Sequence, residues 1–152
     1  MRRVLITVLA VFVSNNVGVA EILTEQVSES DFCRELNQPE HKQFCEAHHS
    51  GDVSKCGLIV DSDWRGLCEL SRSSELGACE NLPDENFLNY CYALKQGTSI
   101  PCFYITDPSL EFLCYSHVQN TPRFCADVVD VRLNALCKAL YNPARKTPRP
   151  PR

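Results

Sequence analysis

The chain has 152 residues, including 10 cysteines, 6 glycines, 9 prolines, one methionine and one tryptophan. That length fits one domain. Charged residues at 22% and apolar residues at 44% exclude a wholly disordered chain and a multi-span membrane protein, and a net charge of -4 speaks against a dedicated nucleic-acid binder.

Residues 1–20 read as a secretory signal peptide. Arg2 and Arg3 give a basic start, Val4 to Val13 an apolar run, and Gly18-Val19-Ala20 the small residues a signal peptidase reads. The run is too short to span a bilayer well, and no later segment reaches spanning length. Export implies a secreted or periplasmic location, with no transmembrane segment after cleavage. It also makes the cysteines disulfide-permissive. Residues 21–32 form a lead-in.

From there the cysteines define a repeat. Cys33, Cys45, Cys56, Cys68, Cys79, Cys91, Cys102, Cys114, Cys125 and Cys137 follow one another at separations that alternate strictly between 12 and 11. Residues 33–147 are therefore five tandem units of 23 residues, which is the signature of a repeat array. Positions are counted below from each unit's first cysteine. Position +3 holds Leu36, Ile59, Leu82, Ile105 and Val128. Position +5 holds Gln38, Asp61, Asp84, Asp107 and Asp130. Position +8 holds His41, Trp64, Phe87, Leu110 and Leu133, and +11 holds Phe44, Leu67, Tyr90, Leu113 and Leu136.

Aspartate before a periodic apolar face is a helix N-cap, because its carboxylate accepts from the free amides of the first turn. Pro39 and Pro108 follow at the first helical position, where a missing amide costs nothing. Apolar residues at +8, +11 and +12 share one helical face, so a helix of about three turns is predicted from +6 to about +16. Breakers follow at +18, and a shorter helix is predicted from about +20 to +4. Asp61, Asp84, Asp107 and Asp130 are thus assigned as caps rather than as a carboxylate row for calcium.

The predicted fold is all-α. Five disulfide-stapled helical hairpins form a short α-solenoid or compact helical array, since a hairpin this small cannot bury its apolar face alone. An open array would be an arc some 40–50 Å long at roughly 8–10 Å per packed helix. The first unit, with Gln38 and His41 in place of aspartate and an apolar residue, reads as a capping repeat. Pairing within units (33–45, 56–68, 79–91, 102–114, 125–137) uses all ten cysteines. Pairing between units strands Cys33 and Cys137; spacing alone leaves both open.

Asn142 to Arg152 is a basic proline-rich tail of charge +4, whereas residues 21–142 carry 19 acids and 9 bases, a net of -10. The tail overlaps the last repeat and has the composition of an extended or disordered segment. The layout resembles the Sel1-like cysteine-rich helical-repeat proteins of bacteria in architecture only. Their units are about one and a half times as long, and no residue carries over.

His48 and His117 share position +15, at the end of the helical face. Trp64, Phe87, Tyr90, Tyr92 and Phe112 read as core or groove aromatics. Phe103, Tyr104 and Tyr115, beside cysteines, are expected on a partly exposed face, where aromatics favour binding. No Gly-x-Ser-x-Gly, phosphate loop or His-Glu-x-x-His occurs, and no cysteine is spare as a nucleophile. The expected function is a non-enzymatic protein-interaction or scaffold module without cofactor or metal, whose partner is another protein of the envelope or exterior. A Cu(I) or zinc thiolate store is the alternative, weakened because no Cys-x2-4-Cys occurs. A secreted inhibitor or effector is a further alternative.

Overall fold

Each aspartate at +5 starts a helix by leaving its own backbone extended and turning its carboxylate back onto the chain. Asp61 accepts from the amides of Asp63 and Trp64, Asp84 from Asn86 and Phe87, Asp107 from Leu110, and Asp130 from Arg132 and Leu133. Each side chain thereby satisfies amides that have no partner inside the helix. The computed structural model describes residues 31–141. The signal peptide, most of the lead-in and the basic tail lie outside the described residues.

After a single turn α1 (Asp31–Arg34) come the five long helices: α2 (Pro39–Ser50), α3 (Ser62–Leu70), α4 (Glu85–Gln96), α5 (Pro108–Gln119) and α6 (Val131–Leu140). All five begin at +6, one residue after the cap. Three stop where a residue enters the left-handed region: Gly51 (φ 73°), Gly97 (φ 62°) and Asn120 (φ 46°). Gln38 makes no side-chain cap bond, so α2 relies on Pro39 for its start.

The shorter predicted helices are 3-10 turns: Val53–Leu58, Leu76–Asn81, Pro101–Tyr104 and Pro122–Asp127. They end at +2, not +4. The residue at +3 is extended, and its amide closes back on the cysteine carbonyl, as in Ile59, Leu82, Ile105 and Val128. With only two residues left before the aspartate cap, an α-helical turn has no room to complete itself. The +3 side chains nonetheless stay buried, at 1–6% exposure in those four units.

Every unit is closed by its own disulfide: Cys33–Cys45, Cys56–Cys68, Cys79–Cys91, Cys102–Cys114 and Cys125–Cys137, with Cα separations of 5.6–5.8 Å. No cysteine is free. The sulfurs run between the short turns outside and the long helices inside. All ten residues are buried, at 0–2% exposure, so each bridge doubles as core.

Of the two arrangements expected, the compact one forms, and it is closed. Each of α2 to α6 packs on the next, and α6 packs back on α2 and α1. Every seam between units carries a side-chain hydrogen bond. Arg72 donates to the Ala47 carbonyl (2.8 Å), Lys95 to those of Ser73 and Glu75, and the Thr106 amide to Asn86 (2.7 Å). The Asp130 amide donates to Ser109 (3.0 Å), and His49 Nε2 meets the Ala139 carbonyl at 2.7 Å. This last bond joins the first unit to the fifth. The expectation of an end-capping first unit is therefore corrected: that unit contacts two neighbours like the others. Closure removes both ends, so no unit has to present a polar outer face.

The ring axis is filled in layers, one side chain from each long helix. The +11 residues Phe44, Leu67, Tyr90, Leu113 and Leu136 form the middle layer, at 0–3% exposure. The +8 residues lie on the side of the helix N-termini and the +15 residues on the other. A plug with a mouth at each end results, and the two mouths are the concave features available to function.

Candidate functional site: the two mouths of the ring

At the first mouth the five N-terminal caps converge. A cavity of about 480 Å³ is lined by all five +5 residues and all five +8 residues, together with Glu40, Asn86 and Arg132. Its aromatic wall runs along three consecutive units. His41 meets Trp64 edge-on at 4.9 Å between ring centroids, and Trp64 meets Phe87 at 5.1 Å. Leu110 and Leu133 complete the circle.

Charge at this mouth is lopsided. Glu40, Asp61, Asp84, Asp107 and Asp130 face one arginine, Arg132. That arginine lies 3.1 Å from Asp130 and, with the capped amides, holds its carboxyl down at about 2. Just behind the rim, burial and then the neighbouring Asp61 and Asp84 push the Asp63 carboxyl up. One of its oxygens is buried without a hydrogen-bond partner.

His41 is buried in the wall (8% exposed), and burial lowers its pKa from 6.5; the charges of Glu40 and Asp130 oppose this, while the charge of Arg132 adds to it. A buried neutral histidine binds fewer protons than the unfolded chain once the pH falls below about 6.5. Stability therefore declines as pH drops through that value. The His41→Phe variant is expected to lose less stability than the parent between pH 7.5 and pH 5, read as the shift of the urea midpoint. An equal shift in both proteins would show that His41 contributes nothing to acid sensitivity.

At the second mouth a smaller cavity, about 360 Å³, is lined by His48, His49, Ser71, Arg72, Leu94 and His117 among others. The shared +15 position places His48 and His117 together, with Nδ1 and Nε2 3.0 Å apart. His117 Nδ1 also lies 2.7 Å from the Tyr90 hydroxyl. Burial holds the Tyr90 phenol well above its ordinary value.

The predicted site residues are all placed by this arrangement. Asp61, Asp84, Asp107 and Asp130 cap their helices and rim the first mouth. The ten cysteines are paired. The sulfurs of Cys33 and Cys45 lie with a His49 nitrogen inside 4.8 Å, the one such potential ligand group among the described residues. Both sulfurs are spent in their disulfide and His49 Nε2 on Ala139, so a thiolate store would require these bonds to be reduced first. Sequence reasoning passed over Glu40, Asn86 and Arg132 as lining residues. Arg132 follows Asp130 by two positions, which is the only local signal it offers.

Phe103 and Tyr104 stand outside both mouths, on the fourth unit, at 73% and 63% exposure, with Ile100 beside them at 68%. Tyr115 is half-buried against Phe124. No helix among the described residues is long and apolar enough to cross a membrane. Comparison with known protein families, with curated proteins and with solved structures finds no match.

Proposed function

We propose that the protein is an exported, non-enzymatic interaction module, with its outer aromatic edge as the contact for a protein partner in the periplasm or outside the cell. Five buried disulfides suit an oxidising compartment, and the first twenty residues have the composition of a signal peptide. One observation carries the reading. The exposed pair Phe103-Tyr104 sits at +1 and +2, where the other units hold Arg34-Glu35, Gly57-Leu58, Glu80-Asn81 and Ala126-Asp127. The repeat does not call for aromatics there, and the ring core does not use them.

Their two rings meet edge-on at 5.8 Å, and Asn89 donates to the Tyr104 carbonyl at 3.5 Å. The edge is thus held in place before any partner arrives, which lowers the ordering cost of binding. Aromatic residues that become buried on binding dominate interface energies. A photo-crosslinking residue at position 103 is expected to give one defined protein adduct in the native compartment. The same residue at exposed position 69 is expected to give none. The Phe103→Ser/Tyr104→Ser variant should keep its helicity and compete at least tenfold more weakly for that adduct. Identical crosslinking from both positions, or undiminished competition, would refute the proposal.

A further inference from the structure

A cavity of about 480 Å³ on the axis of a ring whose middle layer is fully packed is the size of a small-molecule site. Its inner wall is apolar and aromatic: Trp64, Phe87, Leu110 and Leu133. Its rim decides which ligand fits. Asparagine, serine and threonine cap helices about as well as aspartate. The 3-10 turns are less uniform: Asp52 and Thr121 cap two of them, while Glu75 and Ile100 precede the other two without a side-chain cap bond. Around this mouth every capping side chain is aspartate.

Each of them spends Oδ1 on backbone amides. The second oxygen of Asp61, Asp84 and Asp107 accepts from no described residue. With Glu40 and Asp130 included, five carboxylates are set against Arg132 alone, and Arg132 is engaged by Asp130. Capping accounts for the side-chain oxygen at each helix start. It leaves unexplained the surplus of negative charge gathered over an aromatic wall.

A metal ion does not fit this rim. Calcium takes roughly 6–8 oxygens at about 2.3–2.6 Å. Among the described residues no three carboxylates bring oxygens within 4.8 Å of one another. Carboxylates spread round a wide mouth, above aromatic rings, suit a broad cation with an apolar body.

We propose that the axial cavity binds an organic cation, its ammonium or guanidinium head among Asp61, Asp84 and Asp107 and its apolar body against Trp64 and Phe87. That chemistry has two sources: a free amine, or a lysine or arginine side chain on a polypeptide. The protein itself carries Arg145, Lys146, Arg149 and Arg152 beyond its last helix.

Trp64 is the one tryptophan of the chain, so its fluorescence reports on this wall alone. Titration of the oxidised full chain with benzyltrimethylammonium is expected to change Trp64 emission saturably, and benzyl alcohol is expected not to. A peptide of residues 143–152 forms the second arm. Tighter binding of the peptide assigns a polypeptide-borne cation, and tighter binding of benzyltrimethylammonium assigns a free amine.

The Asp84→Asn/Asp107→Asn variant retains its caps and is expected to melt like the parent while binding at least tenfold more weakly. Equal binding of benzyl alcohol, undiminished binding by the asparagine variant, or no saturable change with either cation would overturn the proposal. The Phe103→Ser/Tyr104→Ser variant should bind these probes normally, so this site and the aromatic edge succeed or fail separately.

Discussion

Full reduction of the five disulfides is expected to unfold the ring. Each bridge spans a sequence separation of 12. Closing a loop of that length in the unfolded chain is worth about 3 kcal/mol. Five such bridges together reach about 15 kcal/mol, the upper end of the whole stability of an ordinary domain, about 5–15 kcal/mol. No unit has a core of its own to fall back on, because the three axial layers exist only when all five helices meet. Far-ultraviolet circular dichroism in excess reductant should show loss of most helix. Retained helicity after complete reduction, verified by thiol titration, would show that packing alone suffices.

Removing one bridge at a time distinguishes a ring from an open array. In an open stack the terminal unit has one neighbour, so opening its disulfide costs least. Here α2 touches both α3 and α6, as α4 touches both α3 and α5. Replacing Cys33 and Cys45 by serine should therefore destabilise the protein about as much as replacing Cys79 and Cys91, each by about 3 kcal/mol. A first-unit variant that unfolds at much higher urea than the third-unit one would mean that the seam between α2 and α6 contributes little.

How much of this could be read from the chain follows from range. The cysteine period, the aspartate caps and the starts of the long helices are local features, and each is set by residues within one turn of where it acts. Closure is not local. It depends on the small rotation from each hairpin to the next, which is set by side-chain volumes at +8, +11 and +15 in five different units. Gln38 and His41, which look like wear at the end of an array, turn out to lie at the closing seam, where α2 packs on α6 and both residues share a cavity lining with Arg132. The short turns carry helix-compatible residues in the sequence, yet they take the 3-10 form because two residues between +2 and the cap leave an α turn incomplete. The first mouth was half legible: the aspartates were visible as caps, but their gathering over Trp64 and Phe87 required the ring.

Tyr90 tests whether the axis is a plug. Among the described residues it is the largest fully buried side chain, and it sits in the +11 layer with Leu67, Leu113 and Leu136. Its hydroxyl is hydrogen-bonded to His117, which is hydrogen-bonded in turn to His48 across the ring from α5 to α2. Truncation to alanine would remove the ring and the bond together and leave a void at the centre, where five helices cannot all move inward at once. The expected loss is about 3–5 kcal/mol.

Tyr90→Phe keeps the volume and removes only the hydroxyl. His117 Nδ1 then loses its partner in a half-buried site, at a cost of about 1–3 kcal/mol. The two variants should thus separate clearly in urea midpoint, with the phenylalanine protein between the parent and the alanine protein. They should also differ in kind. The phenylalanine protein loses the hydroxyl bonded to His117 Nδ1, so the imidazole nitrogen resonances of His117 should change while the fold is retained. Similar midpoints for Tyr90→Phe and Tyr90→Ala would mean that the hydrogen-bond chain, and not the packed ring, holds the axis together.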